Sequence, residues 1–183
     1  NNRGSILACD VAPRRLAQLQ PRLQRAGIRN VTSRVLDPMV DDGLGDYAQT
    51  ADAVLVDAPC TGSGTLRRSP DIRWREARLE ELRQLQLQVL SNASQLVKAG
   101  GRLVYATCSL LAEENQQLVE AFLLANPGFA REGATFPEFD RTFTALQHQD
   151  AALAERLQNV GELQLWPHRH NTDGFYAQVL RRF

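Results

Sequence analysis

Two cysteines stand directly after apolar segments that have the character of buried β-strands. Cys60 follows the apolar run at residues 53–56 and comes three residues after Asp57, while Cys108 directly follows the run at residues 102–107. Open α/β sheets bind their ligands beyond the carboxyl ends of the strands. A lone cysteine at such a place is more often core than catalytic. Two of them at two strand ends, with a carboxylate nearby, are candidates for nucleophilic catalysis.

The loop around Cys60 is rich in residues that constrain or free the backbone. Pro59 has a fixed φ and stiffens the turn. Gly62 and Gly64 permit unusual backbone angles or the close approach of a ligand. We therefore expect a defined turn that presents the thiol at the end of its strand.

Cys108 stands shortly before a predicted helix at residues 113–125. The dipole of a helix N-terminus favours the thiolate, and Glu113 and Glu114 partly oppose that effect. The third cysteine, Cys9, lies within an apolar strand and is expected to fill the core. Three cysteines without a CxxC pair favour neither a disulfide framework nor a zinc site.

Apolar runs alternate with helical patterns, which predicts an α/β sheet with helices on both faces in a single domain spanning residues 1–183. Pro21 should kink or split the first helix, and Gly100-Gly101 should end the second. One or two short elements are expected between residues 129 and 165. Predicted strands cover residues 5–9, 31–36, 53–56, 102–107 and 175–180, and predicted helices cover residues 16–26, 76–98 and 113–125.

Bulk properties exclude several classes of protein. The chain has 183 residues, of which 43% are hydrophobic and 23% charged, which is typical of a globular domain and not of a disordered or membrane-spanning chain. The N-terminus has no signal-peptide layout, so we expect a soluble, cytoplasmic protein. The 21 basic and 21 acidic residues balance, so any nucleic-acid footprint is local, or an RNA-binding domain outside this chain supplies much of the affinity. Arg67, Arg68, Arg73 and Arg75 form the basic cluster that would supply it.

Three aspartates, Asp10, Asp37 and Asp57, fall at predicted strand ends. An acidic residue that ends the second strand of a nucleotide-binding unit commonly accepts hydrogen bonds from ribose hydroxyls, and Asp10 fits that position. A helix cap or loop role is equally compatible with Asp10 and Asp37. No Gly-rich turn precedes Asp10, so the first strand–loop–helix unit of such a fold is expected outside this chain.

Three segments together carry a resemblance to a known family. They are VLVDAPCTGSGTLRRSPDIRW at residues 54–74, GGRLVYATCSLLAEEN at residues 100–115, and LWPHRHNTDGFYAQVL at residues 165–180. With ACDVAPRRLAQL near the start, they resemble the Sun/Fmu class of S-adenosylmethionine-dependent RNA 5-methylcytosine methyltransferases. Within that class the chain looks most like bacterial enzymes that modify small-subunit ribosomal RNA. The resemblance implies a Rossmann-like class I methyltransferase sheet, S-adenosylmethionine as cofactor and RNA, specifically ribosomal RNA, as substrate.

The resemblance also implies residue roles. Cys108 would be the nucleophile that adds to C6 of cytosine, and Cys60 would help to remove the C5 proton during release. Asp57 would hydrogen-bond the cytosine ring. Asp10 would hold the cofactor ribose and Asp37 would approach the adenine, with Asp57 and Pro59 also lining the cofactor site.

Further residues are expected to contact the substrate. Arg67, Arg68, Arg73 and Trp74 would bind phosphates and stack on bases. The alternative is a solvated loop with Trp74 packed beneath it. His168 and His170 resemble family positions near the substrate cleft, without a matching third ligand for a metal ion. The segment at residues 173–175 is expected to shape the turn into the last strand.

Two rival hypotheses remain at the level of the sequence. In a DNA-type mechanism Cys60 would be the nucleophile instead of Cys108. In a non-enzymatic reading, the chain lacks its cofactor loop and serves as an RNA-binding or assembly module.

Overall fold

The computed structural model describes residues 2–36, 44–74, 78–133 and 140–183. Asp37 and Arg75 lie outside the described residues. The contacts of the chain divide into two compact units, residues 1–46 and residues 47–183. The two units are described separately below.

The first unit is a strand–helix–strand motif. Strands β1 (Ile6–Asp10) and β2 (Val31–Val35) pair in parallel, and helix α1 (Pro13–Arg25) connects them. Pro13 suits the first helical position because a proline there loses no helical hydrogen bond. Gly27 ends the helix region with a φ of 65°.

Helix α1 continues through Pro21, so the helix is not split there. Pro21 lies on the exposed side of the helix, where water can bind the carbonyl that proline leaves without a donor. The expectation that Cys9 fills the core is wrong, because its side chain is exposed.

The second unit is built on a mixed five-stranded sheet. Its central strand is β7 (Phe175–Arg182), which pairs with β4 (Val97–Thr107) along one edge. Along the other edge, β5 (Phe129–Arg131) pairs with the end of β7 and β6 (Glu162–Leu165) pairs with its beginning. Strand β3 (Ala51–Asp57) lies in parallel beside β4, with Asp57 opposite Ala106. The carboxyl ends of β3 and β4 therefore lie side by side.

Helices α2 (Leu79–Ser94) and α3 (Gln116–Ala125) contact each other, and α2 also contacts β3 and β4. The remaining helices are α4 (Asp140–Gln149), α5 (Ala151–Val160) and the four-residue α6 (Pro167–His170). A single apolar core joins the sheet to α2 and α3. Its fully buried side chains include Leu90, Val97, Leu103, Tyr105, Leu118, Val119, Tyr176 and Leu180.

The predicted end of the second helix is wrong. Helix α2 ends at Ser94 and β4 already begins at Val97, so Gly100 and Gly101 lie within a strand. The pairing with β3 skips between Val97 and Arg102, which marks a bulge. Gly100 has a φ of 74° there, so the glycines serve the bulge and not a helix end.

The segment at residues 129–165 is also more ordered than its weak patterning predicts. It contributes β5, α4, α5 and β6 among the described residues. Helix α5 has defined ends, because Asp150 accepts a hydrogen bond from the backbone of Leu153 and Gly161 adopts a φ of 66°. Strands β5 and β6 are short, and both pair with β7. The local sequence pattern does not show this pairing because the partner lies far along the chain. Within residues 2–36, 44–74, 78–133 and 140–183, no helix is long and apolar enough to cross a membrane.

Candidate active site

The loops after β3 and β4 bring the two cysteines together. The backbone N–H of Ala58 donates to the carbonyl of Ala106 at 2.9 Å, and the N–H of Gly64 donates to the carbonyl of Cys108 at 2.9 Å. The loops therefore stay side by side after the strands end. The Sγ atoms of Cys60 and Cys108 lie 3.5 Å apart, within hydrogen-bond distance for sulfur. The prediction that both thiols lie at neighbouring strand ends is confirmed.

The two thiols differ in acidity because each acts on the other. The hydrogen bond from the Cys60 thiol lowers the pKa of Cys108 to about 7, although burial and the charges of Asp57 and Glu114 work against this shift. The same hydrogen bond, together with burial, raises the pKa of Cys60 far above its ordinary range. Cys108 is thus the more acidic thiol of the pair, and Cys60 is the less acidic one.

The helix dipole is not what activates Cys108. Helix α3 begins at Gln116 rather than at Glu113, and a run of turns separates it from Cys108. Because the dipole effect fades within the first turn of a helix, the hydrogen bond from Cys60 is the principal cause of the lowered pKa.

A buried carboxylate, Glu114, links the two cysteine loops. It accepts hydrogen bonds from the backbone N–H of Thr61 at 2.9 Å, from the Thr61 hydroxyl at 2.6 Å and from the Ser109 hydroxyl. The amide of Gln86 on α2 donates to it at 2.9 Å. Glu114 is fully buried, and these four donors satisfy a carboxylate that burial would otherwise strongly disfavour.

Sequence reasoning missed this role for Glu114 and for its partners. Glu114 was considered only as a charge near a helix end. A usable signal was present, since a hydroxyl residue directly follows each cysteine, Thr61 after Cys60 and Ser109 after Cys108.

A close approach between glycines brings a third segment to the site. Gly174, directly before β7, donates its N–H to the carbonyl of Gly64 at 2.8 Å. A Cβ atom at Gly64 would lie 2.3 Å from the Gly174 carbonyl oxygen and 2.8 Å from that of Cys108. Gly64 is needed so that three backbone segments can meet beside the thiols, and the expected approach of a ligand at this glycine is instead an approach of the chain itself. The expectation that residues 173–175 shape a turn agrees with this arrangement.

Asp57 and Pro59 are exposed at the carboxyl end of β3. The carbonyl of Pro59 accepts a hydrogen bond from Gln86 at 2.8 Å, which anchors the turn to α2. Asp57 is close enough to Cys108 that its charge raises the pKa of that thiol. Asp57 is thus both exposed and near enough to Cys108 to act on it electrostatically.

In the first unit, Asp10 ends β1 and its side chain holds the turn that leads into α1. Its Oδ1 accepts a hydrogen bond from the backbone of Ala12 at 2.8 Å. Its Oδ2 lies 3.4 Å from Nη1 of the exposed Arg15. An exposed pair of this kind is weak, so Oδ2 can exchange it for another donor.

The arginines of the expected RNA-binding loop fall into two groups. Arg67 donates to the side chain of Asn171 at 3.1 Å, and Arg68 pairs with Asp173 at 2.5 Å. These two tie the loop to the segment before β7. Arg73 and Trp74 instead face solvent, and Trp74 is 83% exposed, so the alternative in which Trp74 packs beneath the loop is wrong.

A cleft of about 580 Å³ opens beside Cys60. Arg73 and Arg78 contribute cations to its walls, and the remaining lining is largely apolar, from Leu66, Ile72, Leu82, Leu85 and Leu111. The structure therefore brings Cys60 and Arg73 to one concave surface, as expected for a pocket that admits a partly apolar ligand.

The two histidines differ in their surroundings. The ring of His170 accepts a hydrogen bond from the backbone of Trp166 on Nδ1 at 2.8 Å, and its Nε2 lies 3.2 Å from the Asp150 carboxylate. A neutral ring that accepts on Nδ1 carries its proton on Nε2, so His170 links α6 to the cap of α5. His168 is exposed, with its ring 6.1 Å from that of Trp166. In the part of the chain that the structure describes, no three His, Cys, Asp or Glu side chains group so that they could hold a metal ion.

The chain belongs to the 16S rRNA methyltransferase RsmB/F family, whose model matches residues 1–181. Its fold is that of an α/β class I methyltransferase. Among curated proteins it is similar to "Ribosomal RNA small subunit methyltransferase B" of Yersinia pseudotuberculosis, with 36% identity over 181 residues. That match covers 97% of this chain and 37% of the relative, so the chain spans little more than a third of the relative's length.

Two solved structures share the fold across nearly the whole chain. The protein PH0851 is 37% identical with a TM-score of 0.77, and the match covers 99% of this chain and 38% of PH0851. The crystal structure of NSun6 from Pyrococcus horikoshii with SFG is 27% identical with a TM-score of 0.71, and the match covers 99% of this chain and 42% of NSun6.

Proposed function

We propose that this chain carries the catalytic site of an S-adenosylmethionine-dependent methyltransferase that modifies C5 of a cytosine in ribosomal RNA, with Cys108 as the nucleophile. The observation that carries this proposal is the contact between the two thiols at the ends of β3 and β4: the sulfurs lie 3.5 Å apart, and Cys108 has the lower pKa of the two. Membership of the RsmB/F family and the name of the Yersinia relative support ribosomal RNA as the substrate. SFG, an analogue of S-adenosylmethionine, accompanies NSun6 and supports the choice of cofactor.

Cytosine C5 is a poor nucleophile until a group adds to C6. A thiolate is the side chain best suited to that addition, and a pKa of about 7 leaves a large fraction of Cys108 ionised near neutral pH. Addition of Cys108 Sγ to C6 makes C5 carbanion-like. Asp57, which is exposed and whose charge acts on Cys108, would hydrogen-bond the ring and stabilise its protonated form during attack. The base must be unpaired or flipped to reach these groups.

Cys60 changes character once Cys108 has reacted. The pKa of Cys60 is raised chiefly by its hydrogen bond to Cys108 and by burial, and further by the charge of Cys108. When Cys108 becomes a thioether in the RNA adduct, both contributions from Cys108 disappear. Cys60 can then lose its thiol proton to solvent and, as a thiolate, take the C5 proton. The electron pair of the C5–H bond forms the C5=C6 double bond as the C6–S bond breaks, and Cys108 leaves as a thiolate. The raised pKa thus keeps Cys60 protonated until Cys108 has formed the adduct with RNA.

Acidic residues at strand ends suit the cofactor. Asp57 and Pro59 are exposed at the carboxyl end of β3, and Asp10 offers Oδ2 at the end of β1. Carboxylates at such positions accept hydrogen bonds from ribose hydroxyls and from ammonium groups. S-adenosylmethionine supplies an electrophilic methyl group on its sulfonium centre. Asp37 is proposed to approach the adenine.

RNA contacts are proposed for the exposed residues near the cleft. Trp74 offers a ring for base stacking, and Arg73 offers a cation beside it. Arg67 and Arg68 are proposed to contact phosphates from the loop that they also hold in place. His168 and His170 are proposed to approach the substrate from the segment before β7.

A covalent trap tests the assignment of the two thiols. RNA containing 5-fluorocytosine is incubated with the protein and S-adenosylmethionine, and covalent complexes are separated by denaturing electrophoresis. Fluorine replaces the proton that must leave, so the adduct persists. We expect Cys108→Ser to abolish the complex, while Cys60→Ser retains it and also accumulates adduct with natural RNA. Cys9→Ser is the matched control, since Cys9 is an exposed thiol in the other unit. A complex that survives Cys108→Ser and disappears with Cys60→Ser would instead assign the nucleophile to Cys60.

A further inference from the structure

Glu114 occupies an unusual position between the two thiols. The residue directly after Cys60, Thr61, and the residue directly after Cys108, Ser109, donate their hydroxyls to the same oxygen, Oε2 of Glu114. Thr61 adds a backbone hydrogen bond to Oε1 at 2.9 Å. The two cysteine loops are therefore joined through one carboxylate group.

Glu114 is itself held from two further elements. Gln86 of α2 donates to Oε1 at 2.9 Å, and the Tyr105 hydroxyl of β4 donates to the Glu114 backbone carbonyl at 2.7 Å. Gln86, Tyr105 and Glu114 are all fully buried. Since buried, fully bonded groups have little freedom to move, the carboxylate forms a fixed point for both loops.

We propose that Glu114 is a positioning residue that holds the Cys60 and Cys108 sulfurs at hydrogen-bond distance, and that it contacts neither RNA nor cofactor. The proposal rests on the proposed function of the thiol pair and adds the device that keeps the pair together. Glu114 acts through Thr61 and Ser109, which carry the constraint to the cysteines beside them.

A carboxylate is better suited to this task than an amide. A carboxylate only accepts hydrogen bonds, and its two oxygens can take all four donors found here. In Glu114→Gln, the oxygen keeps its two N–H donors, and the Thr61 and Ser109 hydroxyls must turn round to accept from the NH₂ group. Charge-assisted hydrogen bonds are then replaced by weaker neutral ones, so the link between the two loops weakens.

The sign of the resulting shift separates positioning from a simple charge effect. The negative charge of Glu114 by itself raises the pKa of Cys108, whereas the hydrogen bond from Cys60 lowers it by a larger amount. If Glu114 were only a nearby charge, Glu114→Gln would lower the pKa of Cys108. If Glu114 holds the sulfurs together, the same substitution raises that pKa, because the hydrogen bond from Cys60 weakens.

The test measures the pKa of the Cys108 thiol through its reactivity and needs neither RNA nor cofactor. In a Cys9→Ser background, which removes the exposed third thiol, the rate of Cys108 alkylation by iodoacetamide is followed against pH by peptide mass spectrometry. We expect Glu114→Gln to move the midpoint from about 7 toward the value of about 8.5 for an unperturbed thiol. An unchanged or lowered midpoint would overturn the proposal.

Two further variants complete the design. Glu113→Gln removes the same charge one residue away, outside the network around Glu114, and should leave the midpoint within a few tenths of a pH unit of the parent. Thr61→Val removes the hydroxyl that donates to Oε2 and that also lies within hydrogen-bond distance of the Ser63 and Ser109 hydroxyls. It keeps the backbone hydrogen bond to Oε1 and should raise the midpoint by a smaller amount than Glu114→Gln. If Glu114→Gln does not fold, the Thr61→Val midpoint decides, and no upward shift there would refute the proposal.

The outcome is separable from that of the covalent trap. A trap that assigns the nucleophile to Cys60 would remove the proposed function, yet the alkylation midpoints would still report whether Glu114 couples the thiols. If the trap assigns the nucleophile to Cys108 but the alkylation midpoint of Glu114→Gln does not shift, only the positioning role of Glu114 is refuted.

Discussion

Removing the Cys60 thiol should raise the pKa of Cys108 and shift its reactivity to more alkaline pH. The substitution is Cys60→Ala in a Cys9→Ser background, so that Cys108 is the remaining cysteine of the chain. The largest contribution that lowers the pKa of Cys108 is the hydrogen bond from Cys60. Burial and the charges of Asp57 and Glu114 remain in the variant, and all three act to raise that pKa.

The magnitude follows from these opposing effects. The pKa of Cys108 is about 7 with Cys60 present, and without it should reach at least the value of about 8.5 for an unperturbed thiol. The thiolate fraction at a pH of about 7 then falls from roughly one half to roughly one thirtieth. A more basic thiolate is also intrinsically more nucleophilic, with a Brønsted slope of about 0.4–0.5. The alkylation rate at that pH should therefore fall only about threefold, and the midpoint of the pH profile is the more sensitive readout.

The midpoint is measured by alkylation with iodoacetamide that is quenched at set times across the pH range, followed by quantification of the Cys108 peptide. Cys60→Ser is the matched variant because it keeps a hydroxyl donor at the same position, although the shorter C–O bond weakens the contact. Its midpoint should lie between those of the parent and Cys60→Ala. A Cys60→Ala profile that keeps its midpoint near 7 would refute the view that Cys60 activates Cys108.

Two other substitutions probe the surroundings of the thiols. Gly64→Ala should destabilise the protein by about 1–3 kcal/mol or more, measured by thermal or denaturant unfolding, because the new Cβ would lie 2.3 Å from the Gly174 carbonyl oxygen. Trp74→Ala should leave the unfolding transition unchanged, since the side chain is 83% exposed. It should weaken RNA binding by about 1–3 kcal/mol, the usual contribution of one base–aromatic contact, measured by fluorescence anisotropy with labelled RNA.

Each of these predictions has a matched control. Gly128→Ala adds a Cβ that meets nothing within 4 Å, and it should leave stability nearly unchanged. Trp74→Phe keeps an aromatic face and should retain most of the RNA affinity. Equal losses for Gly64→Ala and Gly128→Ala would contradict the packing argument, and unaltered RNA affinity in Trp74→Ala would contradict a stacking role.

Local patterns predicted the elements on which the site depends. The apolar runs before Asp57 and Cys108 are strands β3 and β4, and the strand at the end of the chain is β7. Their ends could be located because strands end where polar, Gly and Pro residues follow an apolar run. The same reasoning gave the wrong end for the second helix, because the helical pattern continues past Val97 although β4 begins at that residue. Pairing with a distant strand decided that boundary, and local propensity did not.

The site residues divide in the same way. Cys60, Cys108 and Asp57 were identified from their positions and motif context, and the structure brings the two thiols into contact. The expected contribution of a helix dipole to Cys108 was wrong, because α3 begins too far along the chain. The exposure of Trp74 was left open by the sequence and is decided by the structure. Asp37 lies outside the described residues, and its role stays a prediction.

The sequence by itself determined which residues could do the chemistry: two thiols and a carboxylate at the ends of two strands. Only the tertiary structure decided which thiol is the more acidic, because that depends on the 3.5 Å contact between the sulfurs. The hydrogen bonds of Glu114 that join the surrounding segments reach Thr61, 53 residues away along the chain, and Gln86, 28 residues away. Hydrogen bonds across such separations arise when the sheet and helices pack, so no local pattern can encode their geometry. The acidity of Cys108 is in this sense a property of the fold.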